Sequence, residues 1–300
     1  MSDAPSHLLF EPGWADYALL DSGAGRKLER YGRVIVDRPE PQALWAKTLP
    51  PARWNEAQAA FRNASEREED EGGQWDFAIK NPPETWNIKV EGAIMLARFM
   101  AFRHLGLFPE QRPHWAWMRE RVAKATGAGK PFKVLNLFAY TGAASLIAAA
   151  AGAQVTHVDA SKKAIVWAKE NQVVSKIDEK AVRWICEDAR KFVARELRRG
   201  NKYDGILLDP PKYGRGADGE VWRFETDIMP LMQDCAALLS DDASFMILTA
   251  YTMRLSSVTL GHMMRDVAPL RGAVDNGELL LSDETATRPL PTSLFARWSA

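Results

Sequence analysis

The chain has 300 residues, 46% of them apolar and 26% charged, enough to build one large domain or a catalytic domain with a small appendage. No apolar run reaches the roughly 20 residues that span a bilayer, and the start MSDAPSHLLFEPGW lacks the basic and long apolar parts of a secretory signal. Two cysteines, Cys186 and Cys235, make neither a disulfide framework nor a multi-cysteine zinc site, so membrane-spanning, disulfide-rich and disordered classes fall away and a cytoplasmic, metal-free enzyme is expected.

Basic and acidic residues balance at 39 each, but unevenly along the chain. Residues 1–100 hold 12 basic against 16 acidic, residues 101–200 hold 18 against 9, and residues 201–300 hold 9 against 14. The basic middle suits one wall of an anion or nucleic-acid site. Lys162, Lys163, Arg195, Arg198 and Arg199 equally suit solvated helix faces.

Residues 1–105 carry five of the eleven tryptophans and short β-type runs, YGRVIV (31–36), WDFAIK (75–80) and TWNIKV (85–90). The last two flank Asn81-Pro82-Pro83-Glu84, a plausible hairpin connection. EREEDEGG (66–73) reads as an exposed turn. AIMLARFMAFR (93–103) fits neither the helical nor the strand period. This part is expected to be a small β-rich domain that caps or recognises the substrate, followed by a catalytic domain over 106–300.

From residue 131 strands and helices alternate. Strands are predicted at 133–138, 154–159, 181–186, 203–209 and 243–249, and helices at 143–151, 162–174, 189–199, 226–239 and 257–267. A long loop follows the fourth strand. Two final strands, 278–283 and 293–298, read as a terminal hairpin with one antiparallel strand. Such alternation specifies an α/β fold, a doubly wound, mostly parallel sheet with its ligand site at the carboxyl ends of the strands where strand order reverses.

Those ends carry the chemistry. The first strand runs into Ala139-Tyr140-Thr141-Gly142, where a glycine lets the backbone turn tightly and the next helix offers free amides. The second ends in Asp159, placed to accept from both hydroxyls of a ribose. The third is followed by Glu187-Asp188-Ala189, where a carboxylate can take the exocyclic amine of a base. The fourth ends in Asp209-Pro210-Pro211-Lys212-Tyr213. In this order the four describe a nucleoside-bearing cofactor laid across the sheet. The loop NLFAYTG has one glycine and two bulky aromatics, Phe138 and Tyr140, leaving little room for the pyrophosphate of a nicotinamide dinucleotide. S-adenosylmethionine, which has no phosphate, fits better, and a nicotinamide-dependent oxidoreductase is the remote alternative.

NLFAYTG (136–142), VDAS (158–161), EDA (187–189) and DPPKYGRG (209–216) together resemble the class I methyltransferases of the family that modifies bases of large-subunit ribosomal RNA, at cytosine carbon 5 or guanine nitrogen 7. GLFPEQRPHW (106–115) is similar to that family's element just before the catalytic domain. The resemblance covers roughly residues 85–300; the first 85 do not resemble the PUA RNA-binding domain of many relatives. It implies that Asn136, Phe138, Tyr140, Thr141 and Gly142 shape the methionine side of a cofactor pocket walled by Phe108 and Gln111. It also implies that Asp159, with Ala160 and Ser161, holds the ribose, that Asp188 and Ala189 meet the adenine, and that Asp209 opens the substrate side. Ribosomal RNA is the implied partner.

Methylation of cytosine carbon 5 requires a thiolate nucleophile, which this family places in the Pro-Pro loop or after the fifth strand. Here the loop carries Lys212 and Tyr213, and Thr249-Ala250-Tyr251-Thr252 follows the strand. Cys186 and Cys235 read as core. Direct in-line transfer to a nitrogen is therefore expected, with Asp209, Lys212 and Tyr213 as catalytic candidates. A protein or small-molecule acceptor is the alternative.

Overall fold

The computed structural model describes residues 6–64, 72–216, 219–251, 254–284 and 288–300. The expected turn at 66–73 lies outside the described residues up to position 71, and so does Thr252.

The first strand, β1 (His7–Glu11), is followed by β2 (Tyr17–Gly23), β3 (Arg26–Tyr31), β4 (Val34–Pro39), the short helix α1 (Pro51–Trp54), β5 (Ala59–Asn63) and β6 (Gly73–Phe77). Strands β2 to β6 form one five-stranded sheet in chain order. The run 31–36 is therefore not one strand: Gly32, with φ +58°, turns the chain between β3 and β4. Next come β7 (Trp86–Val90) and β8 (Ala93–Ala97), which pair with each other across Glu91-Gly92. The hairpin expected at 75–90 is thus replaced by two pairings, β6 with β5 and β7 with β8. The ambiguous segment 93–103 supplies a strand whose Ala93, Met95 and Ala97 point inward.

Two pieces of the first 105 residues pack on the rest of the chain. Strand β1 runs parallel to β16 (Ala273–Leu281) at the edge of the large sheet. The β7–β8 hairpin is bonded to helix α4 (Lys162–Ser175), with Leu96 N donating to Asn171 Oδ1 and Trp167 Nε1 to Leu96 O, at 2.8 and 2.9 Å. Between the sheets lies a buried ionic cluster. Arg38 donates to Glu29 (2.7 Å), to the Tyr31 hydroxyl (2.9 Å) and to the carbonyl of Arg103 (2.9 Å), and Lys27 pairs with Glu40. Three buried charges, Glu29, Arg38 and Glu40, persist there because each has an opposite partner, Glu40 in the half-buried Lys27.

The rest of the chain gives α2 (Arg112–Gly127), β9 (Lys133–Leu137), α3 (Ala143–Ala150), β10 (Gln154–Asp159), α4, β11 (Val182–Cys186), α5 (Ala189–Arg198) and β12 (Gly205–Leu208). A small hairpin, β13 (Tyr213–Arg215) and β14 (Val221–Arg223), stands in the expected long loop, before α6 (Phe224–Ala237), β15 (Phe245–Tyr251), α7 (Ser257–Val267), β16 and β17 (Leu290–Ser299). The large sheet has the order β1-β16-β17-β15-β12-β9-β10-β11, with β17 alone reversed. Its core strands read as continuous apolar runs, such as the fully buried Gly205-Ile206-Leu207-Leu208, because helices cover both faces. Chain order reverses between β9 and β12, and the carboxyl ends diverge there. Among the described residues no helix is long and apolar enough to cross a membrane.

Candidate active site

An open cleft lies at this switch point, at the carboxyl ends of the strands. It brings together seven of the residues picked out above: Phe108, Gln111, Asn136, Phe138, Tyr140, Thr141 and Asp209. Gly142, Asp159, Ala160, Ser161, Asp188, Ala189, Lys212 and Tyr213 lie outside its lining.

The loop after β9 is contorted. Phe138 and Tyr140 both sit at positive φ, +54° and +48°, where bulky side chains are strained, and Gly142 follows at +87°. Asp159 holds the loop: its Oδ2 accepts from Tyr140 N and its Oδ1 from Ser161 N, each at 2.8 Å. Burial raises the Asp159 pKa more than these two amides lower it. Thr141 is tied down twice, its Oγ1 donating to Gly106 O (2.6 Å) and its carbonyl accepting from Asn171 Nδ2 (2.9 Å). Gly106 itself has φ +94°, and a Cβ there would stand 2.3 Å from the Trp167 ring.

Asp188 does an ordinary structural job. Its Oδ1 caps α5 by accepting from the amides of Arg190 (3.0 Å) and Lys191 (3.1 Å). Ser161 likewise caps α4, accepting from Ala164 N at 3.3 Å. Ala189 is buried in the first turn of α5, and Ala160 lends its carbonyl to Cys186 Sγ at 3.7 Å.

Asp209 lines the cleft from the end of β12. Its Oδ2 accepts from Gln111 Nε2 at 2.8 Å, and its Oδ1 accepts a short bond from Thr249 Oγ1. Burial pushes its pKa up against these two donors. Lys212 and Tyr213 lie beyond it on the exposed hairpin, where the Tyr213 hydroxyl accepts from Arg215 Nε at 3.0 Å. The hairpin is anchored by Trp222, whose Nε1 donates to Pro211 O (2.7 Å) and whose ring lies 4.8 Å from that of Phe138.

Sequence reasoning missed two residues here. Strand β15 continues to Tyr251, so Thr249 faces Asp209 from within the strand rather than from a loop after it. Trp222, inside a stretch read as loop, joins the Pro-Pro segment to the Phe138 wall. Cys186 is a correction: it is exposed, because it ends the edge strand β11, whereas Cys235 is buried as expected.

Among the described residues no Lys or Arg lines the cleft. Its polar groups are Asn136, Asp209, Gln111, Thr141 and Thr249 over an apolar floor of Leu207, Leu208, Ile247 and Trp115. A pyrophosphate would lie there without a counter-charge, while a cation finds oxygens. These residues fit S-adenosylmethionine, whose reactive end carries a sulfonium and an ammonium.

A doubly wound sheet with acid-tipped strands around such a cleft defines an enzyme frame for a nucleoside-bearing cofactor. Residues 42–224 match the S-adenosylmethionine-dependent methyltransferase family, and the chain belongs to it. It is similar to the SAM-dependent methyltransferase of Agrobacterium tumefaciens, at 48% identity and TM-score 0.92 over 98% of this chain and 93% of that one. A putative methyltransferase complexed with SAH, SMU.776, shares the fold at 18% identity and TM-score 0.70, over 95% of this chain and 75% of that one. Among curated proteins, the ribosomal RNA large subunit methyltransferase K/L of Marinobacter nauticus is 30% identical over 161 residues, 53% of this chain and 21% of that protein. Methyltransferase I of Aeromonas salmonicida, also of the large ribosomal RNA, is 32% identical over 135 residues, 45% of this chain and 32% of that protein. The matched part is a fifth to a third of these curated relatives' length.

Proposed function

We propose that the protein methylates a base of RNA, ribosomal RNA by the names of its relatives, and acts in the cytoplasm by direct transfer to a nitrogen without a cysteine nucleophile. One observation carries this reading: a cleft lined by Asp209, and by no Lys or Arg among the described residues, adjoins through the Trp222–Phe138 ring contact a rim formed by Lys212 and a hairpin bearing Tyr213, Arg215 and Arg223. Such a rim suits phosphates and a stacked base, as RNA recognition needs. In this reading the loop from Phe138 to Gly142 cradles the methionine end, Asp159 takes the ribose, and Asp188 with Ala189 meets the adenine. S-adenosylmethionine, when bound, supplies an electrophilic methyl.

The protein's part is alignment and proton handling. Thr249 and Gln111 fix the Asp209 carboxylate from two sides, leaving its remaining lone pairs for an amine or ring N–H of the acceptor. A bond to that group strengthens as positive charge develops on the nitrogen, so it acts on the transition state more than on binding. Tyr213 offers a half-exposed ring for the base and Lys212 a charge for its backbone. Neither cysteine lines the cleft. The test is incubation with radiolabelled S-adenosylmethionine and separated RNA, protein and metabolite fractions. Label entering RNA at a nitrogen is the expected result; label in protein or metabolites instead overturns it.

A further inference from the structure

Beneath the cofactor loop runs a buried polar relay. Asn136 and His157 are register partners on the adjacent strands β9 and β10, and Ser145 reaches them from α3. All three are buried. Asn136 Nδ2 donates to Ser145 Oγ at 2.9 Å, and Ser145 Oγ lies 3.0 Å from His157 Nδ1. In the tautomer with its proton on Nε2, the neutral imidazole accepts at Nδ1 from the serine, whose oxygen accepts in turn from Asn136. Burial keeps the imidazole neutral, lowering its pKa to about 3. No other titratable side chain contributes to that shift.

The consequence falls on the other half of the amide. Asn136 lines the cleft, its nitrogen is committed to Ser145, and its Oδ1 has no hydrogen-bond partner among the described residues. An amide free to flip would offer either a donor or an acceptor; this one is set. We infer that Ser145 and His157 are positioning residues that hold the Asn136 amide with its oxygen toward the cleft, as acceptor for the ammonium of the cofactor's amino-acid end. The inference rests on the proposed placement of the methionine end at this loop. An acceptor left unpaired at the wall of a cleft selects for a donor and against a ligand that lacks one.

Calorimetry with S-adenosylhomocysteine and its analogue lacking the α-amino group tests this. The wild type should prefer the parent ligand by about tenfold or more. Ser145→Ala, which leaves the strands and loop in place, should lose most of that preference by weakening the parent ligand while leaving the deaminated analogue within twofold. Asn136→Ala should lose the same preference by removing the amide itself. Equal weakening of both ligands in Ser145→Ala, or a preference it retains, overturns the relay. A wild type that binds both ligands alike overturns the ammonium contact. A wild type that binds neither overturns the placement of the cofactor itself.

Discussion

The two sides of the cleft are built differently. On the side of β9, β10 and β11, the carboxylates are spent mainly on backbone: Asp159 on the amides of Tyr140 and Ser161, Asp188 on those of Arg190 and Lys191, with the Arg190 guanidinium 3.5 Å from its Oδ2. On the side of β12 and β15, Asp209 is held, among the described residues, by the side chains of Gln111 and Thr249, and the hairpin beyond it is exposed and carries Arg215 and Arg223. Backbone-anchored acids preorganise a rigid seat for a ligand that never varies. Side-chain-anchored acids leave a group whose remaining valences serve chemistry. The first side should therefore report substitutions as lost affinity, the second as lost rate.

The largest effect is expected at Asp209. Asp209→Asn keeps the shape, and Thr249 can turn its hydroxyl to accept from the new amide, so the fold should survive. In the proposed reaction the developing charge on the acceptor nitrogen loses its carboxylate, and single-turnover methylation should fall about 10²-fold or more with cofactor affinity within severalfold. A near-wild-type rate would reduce Asp209 to a brace for Gln111 and Thr249. Asp159→Ala comes next and should behave oppositely. It removes the proposed ribose acceptor and frees Tyr140 N, so S-adenosylhomocysteine affinity measured by calorimetry should drop about tenfold or more. Unchanged affinity would place the cofactor elsewhere.

Much of this was legible before the fold was known, for a physical reason. The alternation from β9 to α7 follows from local periodicity and caps, and most of the predicted elements there end within a few residues of the observed ones. The strand-end acids carry their positions with them, since a strand's end is written next to it. What escaped depends on distant neighbours. Strand β1 finds β16 some 270 residues away, and nothing in HLLFE announces it. The pairing of Thr249 with Asp209 joins two strands across 40 residues. The partners of Asp209, Gln111 and Thr249, lie 98 and 40 residues away, out of sequence reach. Cys186 looked like core because an apolar strand does not say that it lies at an edge.

Buried histidines sharpen the contrast at a smaller scale. Both His157, under the cofactor loop, and His114, packed edge-on at 4.8 Å against Phe295 of β17, have pKa values lowered to about 3 by burial. The unfolded chain protonates each near 6.5, so each contributes stability that is lost as pH falls from about 6.5 toward 3. Glu110 works in the opposite sense: burial raises its pKa to about 7, so its share is lost as pH rises from about 4.5 through 7. His157 has Ser145 as partner, whereas both ring nitrogens of His114 are buried without one among the described residues. His114→Phe should therefore stabilise by roughly 1–2 kcal/mol and flatten the acid limb of a denaturation-versus-pH profile, while His157→Phe strands Ser145 and destabilises. Equal responses from the two variants would break the distinction.

The smallest effect is expected from removing sulfur altogether. Cys235 is fully buried in α6 and its thiol pKa is driven well up, so it is an inert filler of the core. Cys186 is exposed, but it ends β11, on the side of the sheet away from Asp209, with its Sγ turned to the Ala160 carbonyl. An attack on a ring carbon needs a thiolate beside the acceptor, and neither sulfur lines the cleft. The double variant Cys186→Ala, Cys235→Ala should thus keep its methylation rate and form no covalent adduct with a fluorinated cytosine substrate. The buried position alone should cost about 1 kcal/mol of stability, through the cavity it leaves. A folded double variant without turnover, or a trapped adduct in the wild type, would move the chemistry from a nitrogen to carbon 5 and give Cys186 a route to the substrate that this arrangement of strands denies it.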